Sequence, residues 1–365
     1  MDSDRLLRQG VCRMISFANA DGKRWIVPVR GMRLGLAIYQ PGSRKGRLLK
    51  RFLPRLWRFP FVRKLLHATL GRYDLHPLIA AACQEAFDVE RFEWSMFGGT
   101  PSSDSKVTIQ CDSADCILGY CKVTDNPDIA LRLFKHESLL LGFLNSFDDM
   151  RGRIPESLKY EKMDDDLYLF VQSTVKTLHS REVHRWTPLH QKFQATLHNL
   201  TGTLMKSAET DTFLSIRKLY DSCSSLIPDE LSDFVAESAL QVLTYQSDIM
   251  VNAVVTHRDF TPWNMIVNDN SLFVFDWEYG IYHGIPGLDK CHFLIQTAIF
   301  EQHASADEII RMLKAYDDID SMLLKIYLLD MISLYAFRSG GDWSDSDYDT
   351  LAIRARLLSM ADMLD

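Results

Sequence analysis

The chain has 365 residues, 47% of them hydrophobic and 24% charged, with a formal net charge of −7. That composition supplies a large apolar core and is not that of a disordered or low-complexity polymer. No apolar run reaches the length of a membrane-spanning helix, and the N-terminus "MDSDRLLRQGVCRMIS" lacks the apolar stretch of a secretory leader.

The seven cysteines include no CxxC pair and read as reduced thiols of a cytoplasmic protein. Cys111, Cys116 and Cys121 fall five apart, a spacing that alternates faces of a strand, so they read as core or surface thiols rather than metal ligands.

In chain order, "VCRMISF" and "RWIVPV" predict strands, joined across a hairpin turn signalled by Asp21-Gly22. "LGLAIYQP" predicts a third strand, ended by Pro41 and Gly42. From Arg44 to Arg72 there are ten Lys or Arg and no acid, which leaves 31 bases against 48 acids in the rest of the chain. A cationic segment on an acidic body predicts a polyanionic partner, a peripheral membrane contact, or docking onto the body itself. Pro54 and Pro60 are expected to break the segment into short pieces. The plainer reading is a short helical pair whose apolar face packs on the next lobe. The other lays it on an anionic membrane with Trp57, Phe59 and Phe61 inserted.

Residues 78–90 predict a helix, and "FEWSMFGG", "KVTIQC" and "CILGYCKV" predict strands, with the small and polar "GGTPSSDS" (Gly98–Ser105) between the first two. "DIALRLFKHESLLLGFLNSF" has apolar residues at helical intervals, and "LYLFVQS" (Leu167–Ser173) is a short apolar strand. Near residue 173 the character changes. Residues 189–250 read as helical with a break near Pro228, and 288–365 as helical again. His179, His184, His190 and His198 have no metal-helix spacing and read as solvated or core histidines. Gly340–Asp349 reads as an exposed loop with a helix cap. No internal repeat is present.

The stretch "VVTHRDFTPWNMIVNDNSLFVFDWEYG" (Val254–Gly280) interrupts the helical part. An apolar strand ends at His257. Asp259 follows, and Pro262 in "FTPW" prevents an immediate helix. "MIV" and "LFVF" predict a hairpin turning at "NDNS", which would return Asp276 towards Asn264. A carboxylate and an amide carbonyl suit a hard divalent cation, and Asp259 is left to take a proton or orient a hydroxyl. Phosphoryl transfer needs that set: magnesium, a carboxylate for the nucleophile, and a cation on the phosphates. Asx residues also cap turns, but His257, Asp259, Asn264 and Asp276 together between apolar strands favour a site.

"HRDFTPWN" followed by "FDWE" resembles the signature of the aminoglycoside phosphotransferase and choline kinase superfamily, small-molecule kinases with a protein-kinase-like fold. The resemblance implies that Asp259 is the catalytic carboxylate, that His257 buttresses its loop, and that Asn264 and Asp276 are magnesium ligands. The family usually has glycine after the histidine, where this chain has Arg258, as in the "HRD" of protein kinases. "GIPGLDKCHFL" resembles the segment whose aspartate, here Asp289, ties down the floor of the site. Trp277 and Glu278 read as structural.

Such a kinase also needs a strand lysine paired with a helix glutamate. Lys122 ends "CILGYCKV" and is expected on the phosphates, with Glu137 holding it. "FGGTPSSDSKV" falls where a phosphate-covering turn belongs, with Ser102 and Ser103 and backbone amides near the phosphates. Backbone groups around Gln172 in "LFVQST" are expected at an adenine edge.

The expected fold is α+β and bilobal, protein-kinase-like. A small lobe of antiparallel sheet plus one helix spans 91–173, a mostly helical lobe spans 174–365, and residues 1–90 form an N-terminal extension that either continues the small-lobe sheet or docks separately. The expected activity is ATP- and Mg2+-dependent phosphorylation of a small-molecule hydroxyl, with a sugar or glycoconjugate as first choice. No specific nucleic-acid partner is expected. A pseudokinase or nucleotide-binding regulator, or a protein kinase or nucleotidyltransferase relative, stands as the alternative.

Overall fold

The structure is a computed structural model that describes residues 3–19, 22–40, 44–99, 106–114, 116–163, 166–246, 249–268 and 270–365. Ser102, Ser103 and Asp21 lie outside the described residues. The chain forms two compact units, one of residues 1–181 and 266–278, the other of 182–265 and 279–365.

The first unit is built on one eight-stranded sheet. Its strands are β1 (Leu7–Ala18), β2 (Arg24–Pro28), β3 (Thr69–Leu75), β4 (Glu93–Phe97), β5 (Val107–Ser113), β6 (Cys116–Thr124), β7 (Ser157–Lys162) and β8 (Tyr168–Ser173). They lie in the order β3-β1-β2-β4-β5-β6-β8-β7, and every pairing is antiparallel. The strands of the first ninety residues therefore continue the same sheet, joined where Trp25 and Ile26 of β2 meet Phe97 and Met96 of β4.

Alternation along the strands explains how both faces are covered. Met14 and Ile26 face a core with Ile79 and Cys83 of helix α4 (Pro77–Phe87), whereas Ile15, Phe17, Trp25 and Val27 face another with Met32, Leu36, Leu53 and Trp57. The second face is closed by α1 (Met32–Gly35), α2 (Arg44–Leu56) and α3 (Pro60–Leu65).

Three expectations are corrected here. Residues 34–40 do not form the expected strand: α1 is followed by a 3-10 turn over Leu36–Ile38. Gly31 takes φ 73, and its carbonyl accepts the N–H groups of Leu34 and Gly35 at 2.9 and 3.1 Å, which starts a helix. A short apolar run has no period to separate the two outcomes. Pro54 does not break the basic segment but sits inside α2, and the break falls at Trp57–Phe59 instead. Trp57 does not project outward. It is buried in the sheet-facing core, while Phe59 and Phe61 are exposed.

After β6, the turn α5 (Pro127–Ile129) is capped by the Asn126 side chain and runs into a π-helical stretch, Ala130–Lys135, and then α6 (His136–Asn145). This unit also holds residues 266–278, with most of β11 (Met265–Asn268) and all of β12 (Ser271–Val274), the expected strand pair.

The second unit is mostly helical: α7 (Pro188–Thr201), α8 (Asp211–Leu226), α9 (Asp229–Gln246), α10 (Leu288–Phe300), α11 (Ala306–Leu313), α12 (Ser321–Ser339) and α13 (Asp345–Met360). Helices α10 and α12 are apolar on most sides and are buried accordingly. A small sheet, β9 (Thr203–Lys206), β10 (Met250–Thr256) and β13 (Ile281–Gly284), has β10 in its centre. Ser344 caps α13 by accepting the Asp347 N–H, as the acidic loop predicts. No helix among the described residues is long and apolar enough to cross a membrane.

Candidate functional site

In the first unit the site is centred on Lys122. Strand β6 carries it between Thr108 of β5 and Phe170 of β8, and only 4% of it is exposed. A buried ammonium requires partners. Lys122 Nζ donates to Glu137 Oε2 and Asp276 Oδ1, each at 2.6 Å, and lies 3.7 Å from Glu278 Oε2. Burial pulls the lysine pKa down, but the charges of Asp276 and Glu137 outweigh it and hold the group above its ordinary value.

Each partner is itself fixed. Glu137 is fully buried in the first turn of α6, directly after the π-helical stretch, a distortion common at functional sites. Its other oxygen accepts the Trp277 N–H at 3.2 Å. Asp276 follows β12 with φ 68, a left-handed conformation that costs a non-glycine residue about 1–3 kcal/mol. Lys106 pairs with Glu278.

The carboxylates of Glu137, Asp276 and Glu278 offer oxygens that all lie within 4.8 Å of one another. An oxygen-only set of this kind fits a hard divalent cation such as magnesium. Gln172 lies in β8 with Tyr120 on one side and Ser157 on the other, so its backbone is inside the sheet. Its buried Oε1 has no hydrogen-bond partner among the described residues.

In the second unit the site is centred on Asp259, just beyond β10. The loop is clamped from below by Asp289 in the first turn of α10, which accepts the backbone N–H groups of His257 and Arg258 at 2.9–3.1 Å. Gln194 donates to the same carboxylate at 3.3 Å. His257 is fully buried, and its Nδ1 accepts the Asp259 N–H at 3.2 Å. The Asp259 carboxylate, about a third exposed, accepts from Asn264 Nδ2 at 2.7 Å, and Asn264 also donates to the Asp259 carbonyl at 3.0 Å. Thus His257, Asp259 and Asn264 converge in one unit, while Lys122, Glu137 and Asp276 converge in the other.

Arg258 explains the departure from the family's usual glycine. Its φ of 60 is the conformation that glycine adopts freely. Here an arginine accepts that strain, and its guanidinium grips the buried Asp330 of α12 through bonds of 2.8 and 3.0 Å.

Residues 169–322 match the phosphotransferase enzyme family, a span that holds His257, Asp259, Asn264, Asp276 and Asp289. The enzyme is a phosphotransferase. The match covers 154 of the 365 residues; the motifs within it resemble those of the aminoglycoside phosphotransferase and choline kinase superfamily, and it supports a small-molecule kinase acting on a hydroxyl.

Among solved structures, the phosphotransferase resembles a thermostable mutant of aminoglycoside phosphotransferase APH(4)-Ia in ternary complex with AMP-PNP and hygromycin B. The likeness has 13% identity and a TM-score of 0.52, over 79% of this chain and 99% of that one. At that identity it shows the kinase-like fold. A gentamicin–APH(2")-IIa complex is 17% identical with a TM-score of 0.47, over 80% and 99% of the two chains. LicA in complex with AMP is 14% identical with a TM-score of 0.47, over 78% and 100%. No curated protein matches the chain.

Four contributors escaped the sequence reading. Glu278, read there as structural, joins the carboxylate cluster, and Lys106 pairs with it. His292 Nε2 lies 3.2 Å from Asp259 Oδ1, and its Nδ1 lies 3.3 Å from the Tyr327 hydroxyl. Asp330 receives Arg258. His292 had one available signal: it sits three residues after Asp289 on α10, hence on the same helical face.

Proposed function

We propose that the phosphotransferase moves the terminal phosphoryl group of ATP to a hydroxyl of a sugar or glycoconjugate in the cytoplasm. One observation carries the reading: a buried lysine held by Glu137 and Asp276, together with Asp259 positioned by Asn264 and His292.

The roles follow from charge and geometry. The Lys122 ammonium is poised by Glu137 to meet phosphate oxygens, and Gln172 Oε1 is a buried acceptor awaiting a donor. Asp259 orients the acceptor hydroxyl and takes its proton as the phosphoryl group arrives. In the first unit Asp276, Glu278 and Glu137 would offer carboxylate oxygens to Mg2+. Magnesium, when bound, neutralises phosphate charge. His257 and Asp289 hold the catalytic loop and do not touch substrate.

The hygromycin B bound in the similar APH(4)-Ia structure supports a small-molecule acceptor. The cationic segment 44–72 supports an anionic or membrane-attached form of it.

The deciding experiment is a panel of sugars and glycan intermediates assayed for ADP release, with product mass. A phosphate added by the wild type and not by Asp259→Asn supports the reading. Nucleotide binding with no turnover on any acceptor overturns it in favour of a regulator. Addition of AMP overturns it in favour of nucleotidyl transfer.

A further inference from the structure

The apolar face of the basic segment is only partly used by its own fold. Leu53 and Trp57 turn inward to the sheet. The same helices leave Leu48, Phe52 and Leu56 of α2, and Phe61 and Leu65 of α3, between 38% and 77% exposed. These residues recur every fourth position, so each set forms one stripe along its helix. All five line one cavity of about 650 Å³, floored by Phe17 and Trp25. That volume is within the ~300–1,000 Å³ of small-molecule pockets. Beyond Asn19, Tyr39 and the indole of Trp25, the lining offers hydrocarbon. Such a lining has few groups to pair with a peptide backbone, but it needs none for an alkyl chain.

Charge selects among apolar occupants. Arg47, Arg51 and Arg55 recur at the same four-residue interval, one position before Leu48, Phe52 and Leu56, and all three are exposed. Arg58 and Lys64 are exposed beside α3, and no acid occurs between residues 44 and 72. An arginine row beside an apolar row is the pattern of a helix that lies in an anionic lipid interface. We propose that this groove takes an acyl chain of an anionic phospholipid while the arginine row meets the headgroups, docking the first unit on a bilayer. Exposed Phe59, next to Phe61, enters the same interface.

The test uses the full chain with vesicles of phosphatidylcholine alone or mixed with phosphatidylglycerol. Binding at least tenfold tighter to the mixed vesicles is expected. Phosphatidylglycerol brominated on its acyl chain should quench tryptophan fluorescence, and Trp25→Phe should remove part of that quenching. Phe61→Ser with Leu65→Ser changes exposed side chains only and should weaken vesicle binding at least tenfold, as should reversing Arg51, Arg55 and Arg58 to Glu. Four results overturn the proposal: no vesicle binding, no Trp25 quenching, unchanged binding by the Phe61→Ser, Leu65→Ser variant, or a solution dimer that this variant dissociates. Turnover of a soluble acceptor by the same variant stays at the wild-type level, so this proposal and the kinase reading fail separately.

Discussion

The guanidinium of Arg258 and the carboxylate of Asp330 form a two-bond ion pair in which the arginine side chain is 10% and the aspartate 1% exposed. The pair ties the loop after β10 to α12 at the position where the backbone is left-handed. Removing one partner leaves an uncompensated buried charge, which costs about 3–5 kcal/mol. Asp330→Ala should therefore lower unfolding free energy by about that amount in urea titrations. Arg258→Gly combined with Asp330→Leu should recover most of it, because the double change also relieves the strained φ. A double variant as unstable as the single one would show that the pair does more than neutralise burial.

Asp259 is held by Asn264 at 2.7 Å and by His292 at 3.2 Å. Loss of a general base costs roughly 10²–10⁴ in rate. Asp259→Asn is expected to lower kcat by that factor with little change in the KM for ATP. His292→Ala acts on the orientation of the carboxylate and should produce a smaller fall in kcat with nucleotide binding intact. Steady-state ADP release checks both, and a His292→Ala enzyme with normal kcat would remove His292 from the site.

Lys122 separates three carboxylates that otherwise face one another. Its removal leaves like charges close together and, on the proposed reading, loses a contact to phosphate. Lys122→Ala should bind nucleotide at least tenfold more weakly and melt at lower temperature. Adding Glu137→Gln should restore part of the melting temperature but none of the turnover. Calorimetry of nucleotide binding and thermal denaturation report the two effects independently.

Asp112 gives the first unit a pH dependence. Burial pushes its carboxyl up to about 7, against a lowering by the hydrogen bond from Gln110 and with a further rise from Glu93. The unfolded carboxyl ionises near 3.8, so between about pH 4 and 7 the unfolded chain binds fewer protons than the native one. Stability from this group is therefore fully present in acid and falls as pH rises, by an amount on the order of a few kcal/mol. Asp112→Asn should match the wild type at pH 4 and exceed it at pH 7.5 in thermal unfolding. Parallel curves across that range would contradict the assignment.

Much of the design was legible in one dimension because it is written in short-range patterns. The spacing from His257 through Asp259 and Asn264 to Asp276, the hairpin between the last two, and the amphipathic α6 depend on residues close in sequence. Period and turn chemistry report such features directly. Strands β3 and β7 escaped because "TLGRYDL" and "SLKYEK" are rich in charged residues and become strands by pairing with distant neighbours.

What only the tertiary structure decided is which polar groups share a burial site. Lys122 meets Asp276 across 154 positions, Arg258 meets Asp330 across 72, and Asp259 meets His292 across 33. A charged group withdrawn from water must find its partner wherever packing brings one, and packing obeys volume and backbone geometry rather than sequence distance. The sequence determined that the chain carries phosphoryl-transfer chemistry; the fold decided that Glu278 lies beside Lys122, that His292 meets Asp259 and that Asp330 receives Arg258.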